Sequence, residues 1–138
     1  KKASKILGIA NGSIWLRGKD VDSIYKVEET KGGYQTKSVF KKPGVNLVDN
    51  SIMEKDKIYY VSHDESKLIM FDIMTGEDRV IYTAANKNIK ILAAIGDNIL
   101  ISEWVKDNEH VNYYDAVNDK LAKNYYINNS GKVLYELN

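Results

Sequence analysis

The chain has 138 residues, of which 43% are hydrophobic and 28% are charged, and its twenty basic and nineteen acidic residues leave a net charge of +1. This mixed, nearly neutral charge argues against nucleic acid as the main partner and against electrostatic docking on an anionic membrane, because both need concentrated Lys and Arg. The lack of cysteine excludes disulfides and thiolate metal sites, and no apolar run is long enough to span a membrane.

Three units of similar pattern follow one another, and each contains four predicted strands rich in Ile, Val, Leu or Tyr. In residues 4–43 the strands are at 6–9, 13–16, 24–27 and 36–40. In residues 44–87 they are at 46–48, 57–61, 68–72 and 79–82. In residues 88–130 they are at 89–93, 98–101, 111–115 and 123–127. Residues 131–138 contain a strand at 133–135 that is expected to open a further unit.

The units repeat with a period of about 43 residues, which is typical of propeller blades. Ile14, Ile58 and Ile99 each follow a turn pair, and they are separated by 44 and 41 residues. We therefore predict an all-β fold of antiparallel four-stranded meanders, three blades of a β-propeller, in one domain spanning residues 1–138. A β-sandwich or roll built from the same meanders is the alternative. Adjacent residues on a strand face opposite sides, so Tyr59 and Tyr60 are expected to pack against different neighbouring blades.

The middle unit resembles a known group of bacterial repeats. Residues 57–62 (KIYYVS), 67–72 (KLIMFD) and 75–77 (TGE) give a strand containing "IYY", then an apolar strand ending in Asp before a Thr-Gly turn. This pattern resembles the low-density-lipoprotein-receptor-like propellers of surface proteins and lipoproteins in low-GC Gram-positive bacteria, although their Tyr-Trp-Thr-Asp signature is absent. The resemblance implies an extracytoplasmic binding or scaffolding role, at the cell surface or secreted, and carries over no catalytic motif.

Three units and one further strand do not close a ring, because propellers typically contain four to eight blades. The two end faces are therefore expected to be covered by further blades of a longer protein, by a second copy of the chain or another chain, or by caps at the ends of an open array. The first residue is Lys1 rather than Met, which favours a fragment of a longer protein.

In a propeller the loops between second and third strands, and those leading into the next blade, lie at one end, where ligands often bind. A Trp beside polar groups at this end suits a sugar or a peptide. The candidate ligand-binding residues are Arg17, Lys19, His63, Asp64, Glu103 and Trp104. The alternative is that they are ordinary solvated turn residues.

The sequence offers no catalytic, metal or cofactor motif. His63 and Asp64 are neighbours that point apart, and Ser62 and Ser66 lack the Gly-x-Ser-x-Gly setting of a nucleophile. The two histidines lack the spacing of a zinc site, and no stretch has the ligand pattern of a calcium loop or a phosphate-binding loop. We therefore expect no catalytic residues, no metal and no cofactor.

Two functions follow as hypotheses. The first is a non-enzymatic recognition or scaffold module with a protein or glycan partner. The second is a fragment of a larger propeller enzyme, a hydrolase or lyase, whose catalytic residues lie partly in missing blades. The first predicts that Arg17, His63, Glu103 and Trp104 do not converge with paired acids in a deep pocket.

Overall fold

Short segments rich in Ile, Val and Tyr, separated by turn residues, form the strands of this chain. The computed structural model describes residues 3–18, 22–41, 47, 50–85, 88–104 and 122–137. The described residues form three antiparallel four-stranded sheets and contain no helix. The prediction of an all-β fold built from four-stranded meanders is confirmed at this level.

Within each sheet the strands lie side by side in chain order. The first sheet contains β1 (Ala3–Ala10), β2 (Ser13–Gly18), β3 (Ser23–Thr30) and β4 (Gly33–Lys41). The second contains β5 (Ser51–Glu54), β6 (Lys57–Val61), β7 (Lys67–Asp72) and β8 (Glu77–Thr83). The third contains β9 (Ile89–Ile95), β10 (Asn98–Trp104), β11 (Ala122–Asn128) and β12 (Val133–Leu137).

The second sheet packs between the other two. One of its faces, with Ile58, Tyr60 and Phe71, joins a core cluster with Trp15 and Ile24 of the first sheet. Its opposite face belongs to a second cluster, which includes Tyr59, Val61 and Met70 from this sheet and Ile99, Ile101 and Ile127 from the third. The prediction that Tyr59 and Tyr60 pack against different neighbours is therefore confirmed.

The first strands of the three sheets lie next to one another, with β5 in contact with both β1 and β9. The side-chain amide of Asn50, just before β5, binds the edge of β9: Nδ2 donates to the carbonyl of Ile89 at 2.7 Å, and Oδ1 accepts from the N–H of Ile91 at 2.8 Å. Glu54 accepts a longer hydrogen bond from the N–H of Gly96 at 3.3 Å. These side chains satisfy an edge strand whose backbone groups would otherwise lack partners.

The opening strand of the second unit was expected at residues 46–48, of which only Leu47 is among the described residues; the first strand of the second sheet is instead β5. β5 covers Ser51–Glu54 and pairs with β6 through Glu54↔Lys57 and Met53↔Ile58. A two-residue turn at Lys55 and Asp56 fixes this register, because a tight hairpin requires the paired residues to flank the turn directly. Leu47 instead lies in a turn and is fully buried in the cluster between the first and second sheets.

The strand predicted at residues 133–135 was expected to open a further unit, and this prediction is wrong. β12 pairs with β11 through Tyr126↔Tyr135 and forms the edge of the third sheet. β11 was expected to be the fourth strand of its unit, yet it pairs directly with β10 and is the third. The short turn after Asn128 keeps β12 beside β11. The strand predicted at residues 111–115 lies outside the described residues.

Candidate functional site

Buried polar side chains concentrate at one end of the stack. This loop end, as we call it, comprises the connections from second to third strand in each sheet and the connections leading into the next sheet. In the second sheet the two kinds of connection touch, since the N–H groups of Asn88 and Ile89 both donate to the carbonyl of Glu65 at 3.0 Å. The buried polar residues of the described chain all lie at or beside this end; they are Arg17, Ser23, Ser66, Asn88, Ser102 and Glu103.

Arg17 lies near the end of β2 on the face that packs against the second sheet. Its side chain is buried, and Nη1 donates to the carbonyl of Leu47 at 3.1 Å. A buried guanidinium needs hydrogen-bond acceptors because its loss of water is costly. The contact with Leu47 therefore ties the first sheet to the connection that enters the second.

His63 and Asp64 lie in the turn between β6 and β7, where both are exposed. Asp64 Oδ1 accepts hydrogen bonds from the Ser62 hydroxyl at 2.7 Å and from the N–H and hydroxyl of Ser66 at 3.1 and 2.6 Å. Glu65 in the same turn has a φ of 62°. A carboxylate that accepts local backbone and hydroxyl donors is a common way to stabilise a tight turn. Both serine hydroxyls donate to Asp64, so this carboxylate stabilises the turn.

Glu103 lies in β10 on the face that packs against the second sheet, and it is buried. Its Oε2 accepts a hydrogen bond from the hydroxyl of Tyr82 in β8 at 2.6 Å, and the ring of Tyr125 packs 6.2 Å from the Tyr82 ring. Burial and then the hydrogen bond to the Glu103 carboxylate raise the pKa of Tyr82 above its ordinary value. Tyr82 therefore remains a protonated donor that holds the carboxylate across the junction, and it is poorly suited to act as a general base.

Two of the six candidates fall partly or wholly outside this description. Lys19 lies outside the described residues, and Trp104 is described only as the last residue of β10. Of the remaining four, the structure brings together only His63 and Asp64, in one turn. Arg17 and Glu103 face the second sheet from opposite sides, in different core junctions.

A second tyrosine–carboxylate pair escaped the sequence reasoning. The hydroxyl of Tyr60 donates to Asp78 Oδ2 at 2.9 Å, on the face of the second sheet that packs against the first. Burial, followed by this hydrogen bond, raises the pKa of Tyr60. Tyr60–Asp78 and Tyr82–Glu103 thus place a tyrosine–carboxylate contact in each junction. Register within the second sheet places Tyr60 beside Asp78, whereas face-to-face packing of the second and third sheets places Tyr82 beside Glu103. The local sequence carries no signal for either pair.

The outer faces of the first and third sheets carry exposed apolar side chains. Ile6 and Ile9 of the first sheet are 65% and 75% exposed, and Ile95 and Tyr135 of the third are 69% and 62% exposed. Large exposed apolar patches on a soluble protein mark interaction surfaces.

Within the described residues there is no cluster of three or more His, Asp or Glu that could hold a metal ion. Among the described residues there is also no helix long and apolar enough to cross a membrane. Comparison with protein-family models, with curated proteins and with solved structures found no match to this chain. The geometry of the described residues therefore has to carry any functional conclusion.

Proposed function

We propose that this chain is a non-enzymatic recognition and scaffold module whose three sheets are consecutive blades of a propeller-like array. The observation that carries the proposal is the use made of the polar groups at and near the loop end. Arg17 bonds to Leu47, Asp64 bonds to Ser62 and Ser66, and Glu103 bonds to Tyr82. Because these side chains hydrogen-bond to neighbouring sheets and turns, they make the frame rigid.

Three features support the blade interpretation. Each sheet is a four-stranded meander, successive sheets pack face to face, and their first strands β1, β5 and β9 lie side by side. Propeller blades are four-stranded sheets arranged around a central channel, so equivalent strands of successive blades are neighbours. A two-layer sandwich accounts less well for a middle sheet that is buried on both faces.

The recognition surface in this proposal is the loop end, where exposed residues such as His63 surround a frame fixed by buried contacts. Binding residues are often carried by loops that a rigid scaffold positions. A protein or a glycan is the partner that we propose for this surface. The resemblance of the middle repeat to Gram-positive surface propellers favours an extracytoplasmic location.

The Tyr82–Glu103 contact provides the test. In a scaffold, Tyr82→Phe and Glu103→Gln should each lower the free energy of unfolding, by about 1.5–3 kcal/mol for a hydrogen bond to a charged group. A double-mutant cycle in urea should show that the two losses are coupled. Glu77→Gln, at an exposed position in β8, is the matched control and should leave stability unchanged.

If Glu103 is instead a catalytic residue, Glu103→Gln should raise the free energy of unfolding. Active sites trade stability for activity, so removing a catalytic group commonly stabilises the fold. A rise in stability for Glu103→Gln, with no coupling to Tyr82→Phe, would favour the fragment of a propeller hydrolase or lyase over the scaffold.

A further inference from the structure

The outer faces of the first and third sheets have the features of two halves of one junction. The first outer face is defined by Ile6, Ile9, Ile14, Leu16 and Val27, and the third outer face by Ile95, Leu100, Tyr126, Tyr135 and Leu137. We propose that a second copy of this chain covers both, with the first outer face of each copy packed on the third outer face of the other. This inference rests on the blade-like assembly proposed above and names the partner of its open ends.

Equivalent positions in the three sheets identify the first outer face. Ile14↔Val27 in the first sheet corresponds to Ile58↔Phe71 in the second and Ile99↔Ile127 in the third, by cross-strand pairing. In the second and third sheets this pair is buried against the preceding sheet. Ile58 and Ile99 are 0% exposed, whereas Ile14 is 40% exposed. The first outer face therefore corresponds to the surface that the second and third sheets pack against the preceding sheet.

The third outer face corresponds to the surface on the other side of each internal junction. Trp15 of the first sheet and Tyr59 of the second occupy the position that faces the following sheet, and both are buried. Leu100 occupies that position in the third sheet, where it pairs with Tyr126 and is only half-buried. The third outer face is thus the surface that each earlier sheet presents to its successor.

Both internal junctions join these two kinds of surface, so the same kind of contact is available between the first outer face of one copy and the third outer face of another. Such head-to-tail surfaces on identical chains produce closed rings when the rotation between copies allows closure. Two copies supply six sheets, which lies within the range of closed propellers. The net charge of +1 offers little electrostatic repulsion between copies.

The test uses one exposed residue on each face. Ile9 corresponds by pairing to Met53, which packs against the cluster shared with the first sheet. Tyr135 corresponds to Arg79, whose Nη2 donates to the carbonyl of Asn129 in the third sheet at 3.1 Å. Met53 and Arg79 thus contact the neighbouring sheet, and Ile9 and Tyr135 are exposed enough for Ile9→Glu and Tyr135→Glu to fold.

Sedimentation equilibrium over a range of concentrations measures the outcome, with circular dichroism to verify folding. We expect two-chain mass for the unchanged protein and one-chain mass for each variant alone. An equimolar mixture of the two variants should recover two-chain mass, because one junction then joins two unaltered faces. Met74→Glu, at a 59% exposed position in the turn after β7, is the matched control and should keep two-chain mass.

A one-chain mass for the unchanged protein overturns the inference, as does a variant that keeps two-chain mass, which would indicate like faces in contact. A mixture that stays at one-chain mass, or a mass that grows without limit, also overturns it. None of these outcomes alters the Tyr82–Glu103 cycle, so a failure of the two-copy ring is distinguishable from a failure of the scaffold function.

Discussion

Asp72 ends β7 and organises the turn that follows it. Its carboxylate accepts from the Lys57 ammonium at 3.0 Å and from the N–H of Met74 at 2.8 Å. The hydrogen bond from Lys57 holds the pKa of Asp72 below its ordinary value despite an opposing effect of burial, and the N–H groups of Met74 and Thr75 act in the same direction as Lys57. The folded state therefore favours the ionised carboxylate.

This pKa shift has a definite consequence for stability in acid. A carboxylate with a lowered folded-state pKa contributes stability above its unfolded-state pKa of about 4, and this contribution is lost as the pH falls through the folded-state pKa. Asp72→Asn should therefore flatten the loss of stability below about pH 4, by at most about 1 kcal/mol because the ion pair is partly exposed. Urea unfolding at neutral and acid pH, with Glu29→Gln as control, measures this. An unchanged acid dependence in Asp72→Asn would contradict it.

At the level of elements, the turn between β11 and β12 places the third sheet close to the second. Gly131 in this turn has a φ of 90°, and a Cβ atom there would collide with the backbone oxygen of Ile81 in β8. Gly76, in the turn between β7 and β8, has a φ of 75° with open space around the same position. The two glycines share a left-handed conformation and differ in their packing.

Gly131→Ala should consequently cost more than Gly76→Ala. The left-handed conformation alone costs an alanine about 1–2 kcal/mol, and that is the loss expected for Gly76→Ala. Gly131→Ala adds the collision with Ile81, and relieving such overpacking typically costs about 1–3 kcal/mol more. Chemical unfolding of both variants gives the comparison. Equal losses would show that β8 and the β11–β12 turn are not in contact.

Hydrophobic pattern and turn chemistry were enough to predict most of the strands. They failed for the first strand of the second sheet, which Leu47 and Val48 suggested at residues 46–48. That strand is β5, which pairs with β6 across the Lys55–Asp56 turn. They also failed for β12, because the 43-residue period made Val133 look like the start of a new unit. Local pairing with β11, set by the short turn between them, determined the outcome.

The candidate site was harder to predict from sequence. The sequence placed Arg17 and Glu103 in loops, as ligand-binding or solvated turn residues, whereas both lie within strands and are buried. Their hydrogen-bond partners, the Leu47 carbonyl and Tyr82, are remote along the chain. Whether a polar residue binds a ligand or holds two sheets together is decided by such distant partners. The ligand-binding role of all six candidate residues stays a prediction.

For the whole molecule, the central claim is that the second sheet lies between the other two. Strand β6 is the clearest consequence, because residues 58–61 are at most 3% exposed and have core clusters on both faces. Opening this strand to solvent requires separating both junctions, whereas β12 is an edge strand whose described pairing is with β11 alone. Local opening free energies should therefore differ greatly between the two strands.

Amide hydrogen exchange, followed strand by strand, tests that claim most directly. We expect the amides of β6 and β7 to exchange slowest in the chain, at rates that approach the limit set by global unfolding, and those of β12 to exchange much faster. Exchange in β6 as fast as in β12 would contradict the stacked arrangement, and with it the scaffold built on that arrangement.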